Sequence, residues 1–570
     1  MQLKLKKIME KQLSDTLTIE QQDTHLSKFY HWESTQPQQV YLKQPQGDAW
    51  TDYTWGEVGE QARRMATFLK VNFPPKSNIG IVSKNCAHWI MSDLAIMMAG
   101  HVSVPFYPTL TADKLHEVLL HSECKALFVG KLDEWELMSQ GVPAGLPCIR
   151  YPQYPHQAEL KGMKAWEDIL AENAPLTENH HPDMEDLMTI IYTSGTTGMP
   201  KGVMYTYERM ATAMNRLSDI FHLFNNQNRH FSYLPLCHIA ERNIVESASV
   251  YGGATIYFSE SLDTFAQNLQ VAQPTHFLAV PRIWTKFQLG ILAKMPAPQL
   301  EAMLANPQMA PAVQKQIKAS LGLAEAKVVL TGAAPMPASL IAWYKKLDIH
   351  IQEVYGMTEN VGACTYMPLD QVKMGTVGKP YPGVEIKIEE GSQEVLMKAP
   401  WVMNGYYKSP EKTAETLAGG WLHTGDSGEI DAEGYLKITG RVKDTFKTAK
   451  GEFVVPAPIE YQFATNSHVE QVCILGRGLA QPIALVVLSE MGHQLDRVAL
   501  QKSLDATLQK LNASVMKHEQ VQSVVVMREA WGVENGLLTP TLKIKRNVLE
   551  EKYEVALQNW AAQSETIIWE

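Results

Sequence analysis

Short apolar runs recur along the chain, most of them closed by glycine or proline and often followed by a segment with helical spacing. Asn78 to Ser83, Ala126 to Gly130, Leu187 to Tyr192, Ala254 to Phe258, Thr275 to Val280 and Lys327 to Leu330 are of this kind. They are largely continuous in apolar character rather than alternating, the pattern of strands covered on both faces. Between them, Val58, Ala62, Met65 and Leu69 fall on one face of a helix, as do Leu115, Val118 and Leu119. Strands alternating with amphipathic helices predict a mostly parallel α/β sheet.

The pattern changes near residue 383. Val384, Ile386 and Ile388 alternate with charged residues, as in a half-exposed strand, and Glu390-Gly391-Ser392 turns the chain into a second strand, Glu394 to Lys398. Glu429-Ile430, a turn over Asp431 to Gly434, and Tyr435 to Ile438 predict a hairpin. Beyond Gly440-Arg441 the chain is highly charged, which marks a boundary between a large domain, residues 1–440, and a small α+β domain, residues 441–570. Val472 to Leu475 and Pro482 to Leu488 predict strands of the latter, with helices from Leu500 and Asn547. The fold class is therefore α/β: mostly parallel sheets with helices, a small antiparallel segment, then the small domain. The longest apolar stretch, Trp89 to Pro105, is interrupted by Ser92, Asp93, Gly100 and His101. A membrane span needs about 20 apolar residues, so this stretch is expected in the core.

Composition narrows the function. With 570 residues, 45% apolar and 20% charged, the chain is neither disordered nor a coiled coil. Lys plus Arg is 51 and Asp plus Glu is 61, a net charge of −10, which argues against sequence-independent nucleic-acid binding. The six cysteines form no CxxC pair, so neither a zinc cluster nor a dithiol motif is expected, and their scatter suits reduced thiols. The N-terminal lysines precede no apolar leader core, and a cytoplasmic location is the expectation.

The strongest local signal is Thr193-Ser194-Gly195-Thr196-Thr197-Gly198-Met199-Pro200-Lys201-Gly202, directly after a predicted strand. Its glycines let backbone amides approach a ligand closely, its hydroxyls add donors, and Lys201 adds charge, all suited to a polyphosphate. It is not a Walker A loop, because proline precedes the lysine and no Gly-Lys-Ser/Thr follows.

This loop resembles the signature of the adenylate-forming superfamily, which includes acyl- and aryl-CoA synthetases, peptide-synthetase adenylation domains and firefly luciferase. The resemblance continues in order from about residue 30 to about residue 555. Three later blocks are similar to long-chain fatty acyl-CoA synthetases in particular: Leu234 to Arg242, Val280 to Trp284, and Lys443 to Glu460. The resemblance implies adenylation of a fatty acid by ATP with Mg²⁺, then transfer of the acyl group to coenzyme A as second substrate.

It also implies roles for particular residues. Thr193 to Gly198 and Lys201 would hold the phosphates, and Gly332, Ala333 and Ala334 would border adenine. Tyr355 would stack on the base beside Gly356, Thr358 would meet the α-phosphate, and Glu359, with Thr196, would hold Mg²⁺. Asp426, helped by Arg441, would bind the ribose, since a carboxylate accepts two hydrogen bonds from a vicinal diol. His238 corresponds to a position near the acyl carboxylate, where positioning is favoured over acid–base work. Lys443 would be the hinge and Gly451 would wall the thiol tunnel. Lys543 would be the mobile catalytic lysine, with Lys545 as fallback. Two departures stand out: Leu542 precedes Lys543 where many relatives have glycine, and the segment before Gly451 is one residue longer than in luciferase-like relatives.

Three rival readings are a ligase that passes the acyl group to a carrier protein, a non-enzymatic nucleotide sensor, and light emission. Intact Lys201, Glu359, Asp426, Arg441 and Lys543 argue against the sensor, and nothing in the chain predicts the heterocyclic acid that light emission requires. Fatty acid, ATP and coenzyme A are the expected partners, with loose contact at the inner face of a membrane and no nucleic acid.

Overall fold

The computed structural model describes residues 19–193, 200–463, 465–539 and 543–570. The chain divides into two compact units. One gathers the chain up to 193 with 200–385 and 398–422; the other gathers 386–397 and the chain from 423 onward.

Two sheets build the first unit. One runs in the order Gly405–Tyr406, Lys201–Thr206, Leu187–Thr193, Val102–Phe106, Asn78–Val82, Ala126–Val129, Cys148–Arg150, Lys164–Ala165. It is parallel from Leu187–Thr193 onward, and Lys201–Thr206 folds back antiparallel on that strand. The other sheet has a parallel centre of Ile351–Tyr355, Val328–Thr331, His276–Leu278, Arg229–Ser232, Thr255–Phe258 and Val40–Gln46, closed at each end by antiparallel strands. Each of the six continuous apolar runs named first lies on one of these strands. Helix Trp55–Asn72 buries Val58, Ala62, Met65 and Leu69 completely, as its spacing requires.

The interrupted apolar stretch is core. Every residue of helix Ala87–Met98 is buried, Asp93 included. A lone carboxylate there would be prohibitively desolvated. Arg242 meets it, Nη2 donating to both Asp93 oxygens at 2.7 and 2.8 Å, and the Ser103 hydroxyl donates to the same carboxylate. The guanidinium lies over the Trp89 ring, 5.5 Å from its centroid. Arg242 opens a π-helical turn, Arg242–Ser247, and Glu246 on that turn approaches it at 3.7 Å. Burial and the Asp93 charge hold the Glu246 carboxyl well above its ordinary range, and burial pulls the nearby His25 down to about 4. The Glu246 carboxyl is thus held toward its neutral form beside the buried Asp93–Arg242 pair.

In the second unit, a sheet runs Glu385–Ile388, Glu394–Lys398, Leu422–Ile430, Leu436–Arg441. Another runs Val469–Leu475, Ile483–Leu488, Ser523–Val526, Ile567–Trp569, antiparallel in its first pair and parallel thereafter. Helix Arg497–Asn512 buries Leu500, Leu504, Leu508 and Leu511. None of the six cysteines is in a disulfide, and all but Cys148 are buried. Burial pushes the thiols of Cys124 and Cys148 up to about 12 and about 11. No helix among the described residues is long and apolar enough to cross a membrane.

Asp93→Asn leaves the Arg242 charge buried without its counter-ion. Breaking a buried pair from one side costs about 3–5 kcal/mol, and a fall of that size in unfolding free energy is expected from denaturant titration. A shift under about 1 kcal/mol would mean that the pair contributes no more than an exposed one.

Candidate active site

The predicted phosphate loop joins two strands of the first sheet. Thr193 and Lys201 face each other across its base as the last pair of the antiparallel hairpin. Ser194, Gly195, Thr196, Thr197 and Gly198 lie outside the described residues. Gly202 packs so closely on Ile190 that a Cβ would sit 2.7 Å from its Cγ2.

Two strands of the other sheet, Val328–Thr331 and Ile351–Tyr355, end side by side with Thr331 level with Glu353. Gly332 follows directly, and a Cβ there would come within 2.9 Å of the Val354 carbonyl oxygen. Ala333 adopts φ +64°, and Ala333 and Ala334 are exposed, so the chain presents backbone beside the half-buried Tyr355. At Gly356 a Cβ would lie 2.2 Å from the Gly362 carbonyl, so only glycine fits.

After Gly356 the chain makes one 3₁₀ turn, Thr358–Asn360, which three side chains fasten. The Tyr205 hydroxyl donates to the Thr358 carbonyl at 2.5 Å and accepts from the Val361 amide at 3.0 Å. Asn360 Oδ1 accepts from the Met357 amide at 2.8 Å. Asn243 Nδ2 donates to the Val361 carbonyl at 2.6 Å. Glu359 is buried, and its Oε1 accepts from the Tyr406 hydroxyl at 2.7 Å. The Lys201 ammonium lies over the same tyrosine ring, 5.1 Å from its centroid. Tyr406 reaches this place because Gly405–Tyr406 pairs antiparallel with Met204 and Val203. Burial, reinforced by the Glu359 charge, pushes its phenol up, so it stays a hydrogen donor at neutral pH. The structure therefore joins the predicted lysine and the predicted metal carboxylate through a residue the sequence reading missed. A buried carboxylate of this kind is the hard-oxygen donor that Mg²⁺ takes beside substrate phosphates, so the residues present fit the ion.

His238 caps the short helix Ile239–Glu241: its Nδ1 accepts from the Ala240 amide at 3.2 Å, which leaves the proton on Nε2. The loop before it is clamped from behind. Asn85 Nδ2 donates to Ser232 Oγ, the Leu234 carbonyl and Glu241 Oε1, while Asn85 Oδ1 accepts from the Leu236 amide. Glu241 Oε1 also accepts from the Tyr233 amide at 2.8 Å. Burial pushes the Glu241 carboxyl up to about 8 and that of Glu353 up to about 7.

In the second unit, Asp426 and Arg441 are cross-strand partners, with Nε 2.7 Å from the buried carboxylate. Gly425, at φ +72°, delivers its amide to Glu394 Oε1 at 2.7 Å, and Glu394 Oε2 meets His423 Nδ1 at 3.0 Å. Glu394 therefore fixes the start of the strand that carries Asp426, a contact no sequence spacing announced. Lys443 is exposed within the short turn Val442–Asp444. Gly451 takes φ +80° with open space around it, so it serves the turn rather than close packing. Lys543 is exposed; its amide donates to Thr539 Oγ1 at 3.1 Å, and its carbonyl accepts from the Thr539 amide at 2.8 Å.

A separate cleft of about 860 Å³ in the first unit is lined by Asp219, His222, Asn228, His276, Val328 and Gln352 among others. It opens at the N-terminal ends of the strands whose C-terminal ends carry Gly332 and Tyr355.

Comparison with known proteins identifies the family and the fold. A family model described as AMP-binding enzyme matches residues 29–407, and one described as AMP-binding enzyme C-terminal domain matches 443–565. Long-chain-fatty-acid–CoA ligase 1 of Homo sapiens is 30% identical over 546 residues, covering 84% of this chain and 77% of that protein. Long-chain-fatty-acid–CoA ligase FadD15 of Mycobacterium bovis is 27% identical over 587 residues, covering 94% and 96%. Among solved structures, the anthranilate CoA ligase AuaEII in complex with anthranoyl-AMP superposes with a TM-score of 0.76 at 19% identity, covering 95% of this chain and all of that one. The A domain of carboxylic acid reductase from Segniliparus rugosus, in complex with AMP and a co-purified carboxylic acid, gives 0.77 at 19% identity, covering 98% and 96%. At that identity the superpositions establish the fold.

Glu241 makes stability depend on pH in a direction that can be measured. Between the ordinary glutamate value of 4.5 and its folded value of about 8, the folded protein keeps a proton that the unfolded chain releases. The stabilisation is complete below 4.5 and is lost as pH rises through 8. In Glu241→Gln, the fall in melting temperature between pH 5 and 9 should be shallower than in the wild type; an equal slope would show that Glu241 does not carry it.

Proposed function

We infer that this chain, which belongs to the AMP-binding enzyme family, is an acid–thiol ligase that activates a long-chain fatty acid with ATP and transfers it to coenzyme A. The observation that carries the reading is the convergence of Lys201 and Glu359 on Tyr406, in the same unit as the exposed Ala333 and the half-buried Tyr355. The names of the curated relatives supply the substrate class.

In the first step a carboxylate oxygen attacks the α-phosphorus of ATP, the bond to the bridging oxygen breaks, and pyrophosphate departs. The nucleophile is already an anion, so no base is needed and His238 serves to position it. The obstacle is alignment of two negatively charged reactants. Fixing them together can remove about 7–11 kcal/mol of barrier in favourable cases. Tyr355, Gly332, Ala333 and Ala334 hold the adenine, Asp426 the ribose, and Thr193 to Gly198 with Lys201 the phosphates. Thr358 meets the α-phosphate, and Lys543 offsets charge as it develops there. Glu359, with Thr196, would hold Mg²⁺, which when bound neutralises phosphate charge. In the second step the coenzyme A thiolate attacks the acyl carbonyl and AMP leaves, so no covalent enzyme intermediate is required. The two steps need different surroundings at one carbon, which reorientation about Lys443 supplies by withdrawing Lys543 and presenting Gly451.

The test is release of AMP and pyrophosphate over carboxylic acids from acetate to oleate, with and without coenzyme A. Turnover that peaks at long chains and requires coenzyme A is expected. Pyrophosphate release without thioester would move the acceptor to a carrier protein, and no release with any acid would overturn the reading. Lys543→Ala should lower adenylation by a factor of about 100 or more, the loss typical of one charge-stabilising group, and leave thioester formation from supplied acyl-adenylate largely intact. Equal loss of both steps would remove this division of labour.

A further inference from the structure

Resting on the ligase reading, we propose that Arg546 is a positioning residue that couples the Lys443 pivot to the Lys543 turn, so that the two move as one piece. Arg546 begins the helix Arg546–Lys552, three residues after Lys543. The turn before it is closed by pairing of Leu538 with Ile544 and by donation from the Lys545 amide to the Leu537 carbonyl. The guanidinium then reaches three other elements. Nη2 is 2.7 Å from Glu460 Oε1 on helix Pro456–Phe463. Nη1 donates to the Ile474 carbonyl at 2.5 Å and to Cys473 Sγ at 3.3 Å, on strand Val469–Leu475. Nε lies 3.6 Å from Asp444 Oδ2, directly after Lys443 in the chain.

The arrangement is built rather than incidental. The Arg546 side chain is 14% exposed, and Glu460 Oε1 also accepts from the Ile474 amide at 2.7 Å, so helix, strand and guanidinium share one carboxylate. Only arginine offers a planar fan of donors that can serve a carbonyl and one carboxylate at once while its charge faces a second carboxylate. Asp444 is the first residue carried along by a torsion change at Lys443. Its charge contact with the guanidinium therefore ties the pivot to the base of the lysine turn. A purely structural ion pair would instead stabilise the unit and leave the balance between the half-reactions unchanged.

Arg546→Lys and Asp444→Asn in the full chain separate these roles. Lysine keeps the charge and loses the fan; asparagine removes one partner at a half-buried site. For Arg546→Lys, fatty-acid-dependent pyrophosphate release should fall about tenfold, the worth of one charge-assisted hydrogen bond. Thioester formation from supplied acyl-adenylate should change less than about twofold, and the melting temperature little. Asp444→Asn should lower adenylation about threefold, within the range of a partly exposed pair, and add little to Arg546→Lys in the double variant. Hydrogen exchange at the Thr539, Lys543 and Lys545 amides should quicken in both variants while the strand Ile483–Leu488 stays protected. Unchanged exchange, or equal loss in both half-reactions that follows the melting temperature, would overturn the coupling. A wild type that releases no pyrophosphate, with exchange responding as stated, would overturn the ligase reading and leave the mechanical link standing.

Discussion

The Tyr205 phenol holds the first unit's candidate site together. It stands on the hairpin that carries Lys201, in one sheet, and grips the turn that carries Thr358 and Glu359, at the end of a strand of the other. One buried hydroxyl thus serves as donor to one backbone group and acceptor from another, with no room to exchange either for water. The two sheets are joined at that point by these two hydrogen bonds. Everything that depends on the distance between the phosphate loop and the acidic turn depends on it too, including the seat of Tyr406 between Lys201 and Glu359.

The core ion pair extends the same logic inward. Arg242 and Asn243 are consecutive residues of one π turn, where the extra backbone residue redirects successive side chains. Arg242 is drawn to Asp93, and its neighbour Asn243 caps the Val361 carbonyl. A charge interaction deep in the core thereby sets the rotation of a segment that follows His238 and reaches the Thr358–Asn360 turn. On the other side of His238, Glu241 and Asn85 fill the backbone requirements of the loop with a carboxyl that burial keeps protonated. Neither device touches the proposed reactants, yet both decide where the reacting groups can stand.

Much of this was legible in the chain. Apolar runs without alternation marked six of the parallel strands to within two residues, because a strand covered on both faces has no polar position to blur its limits, whereas Val102–Phe106 and Arg229–Ser232 went unmarked. The glycines and threonines after those strands marked the ends where backbone is presented. Tyr406 was not legible: its partners lie 47 and 205 residues earlier, and only the short pairing of Gly405–Tyr406 with Met204 and Val203 brings them together. Asp93 looked like an interruption in an apolar stretch, since its counter-ion is 149 residues away. Glu394 was hidden for the same reason, as an ordinary charged position of a half-exposed strand. Side-chain periodicity reports which face is covered; it does not report which distant element covers it.

The buried thiols have a practical consequence. Five of the six cysteines are shielded from solvent, and burial pushes the thiols of Cys86, Cys124, Cys237 and Cys473 up, as it does the half-buried Cys148, so that all five resist ionisation. Thiolate is the reactive form toward maleimides, so the native chain offers a quiet background for labelling near neutral pH. A pair of surface cysteines introduced on either side of Lys443 can therefore carry fluorophores almost exclusively, without first stripping the protein of its own sulfhydryls. The distance between the two dyes during turnover then becomes readable in an otherwise unaltered molecule.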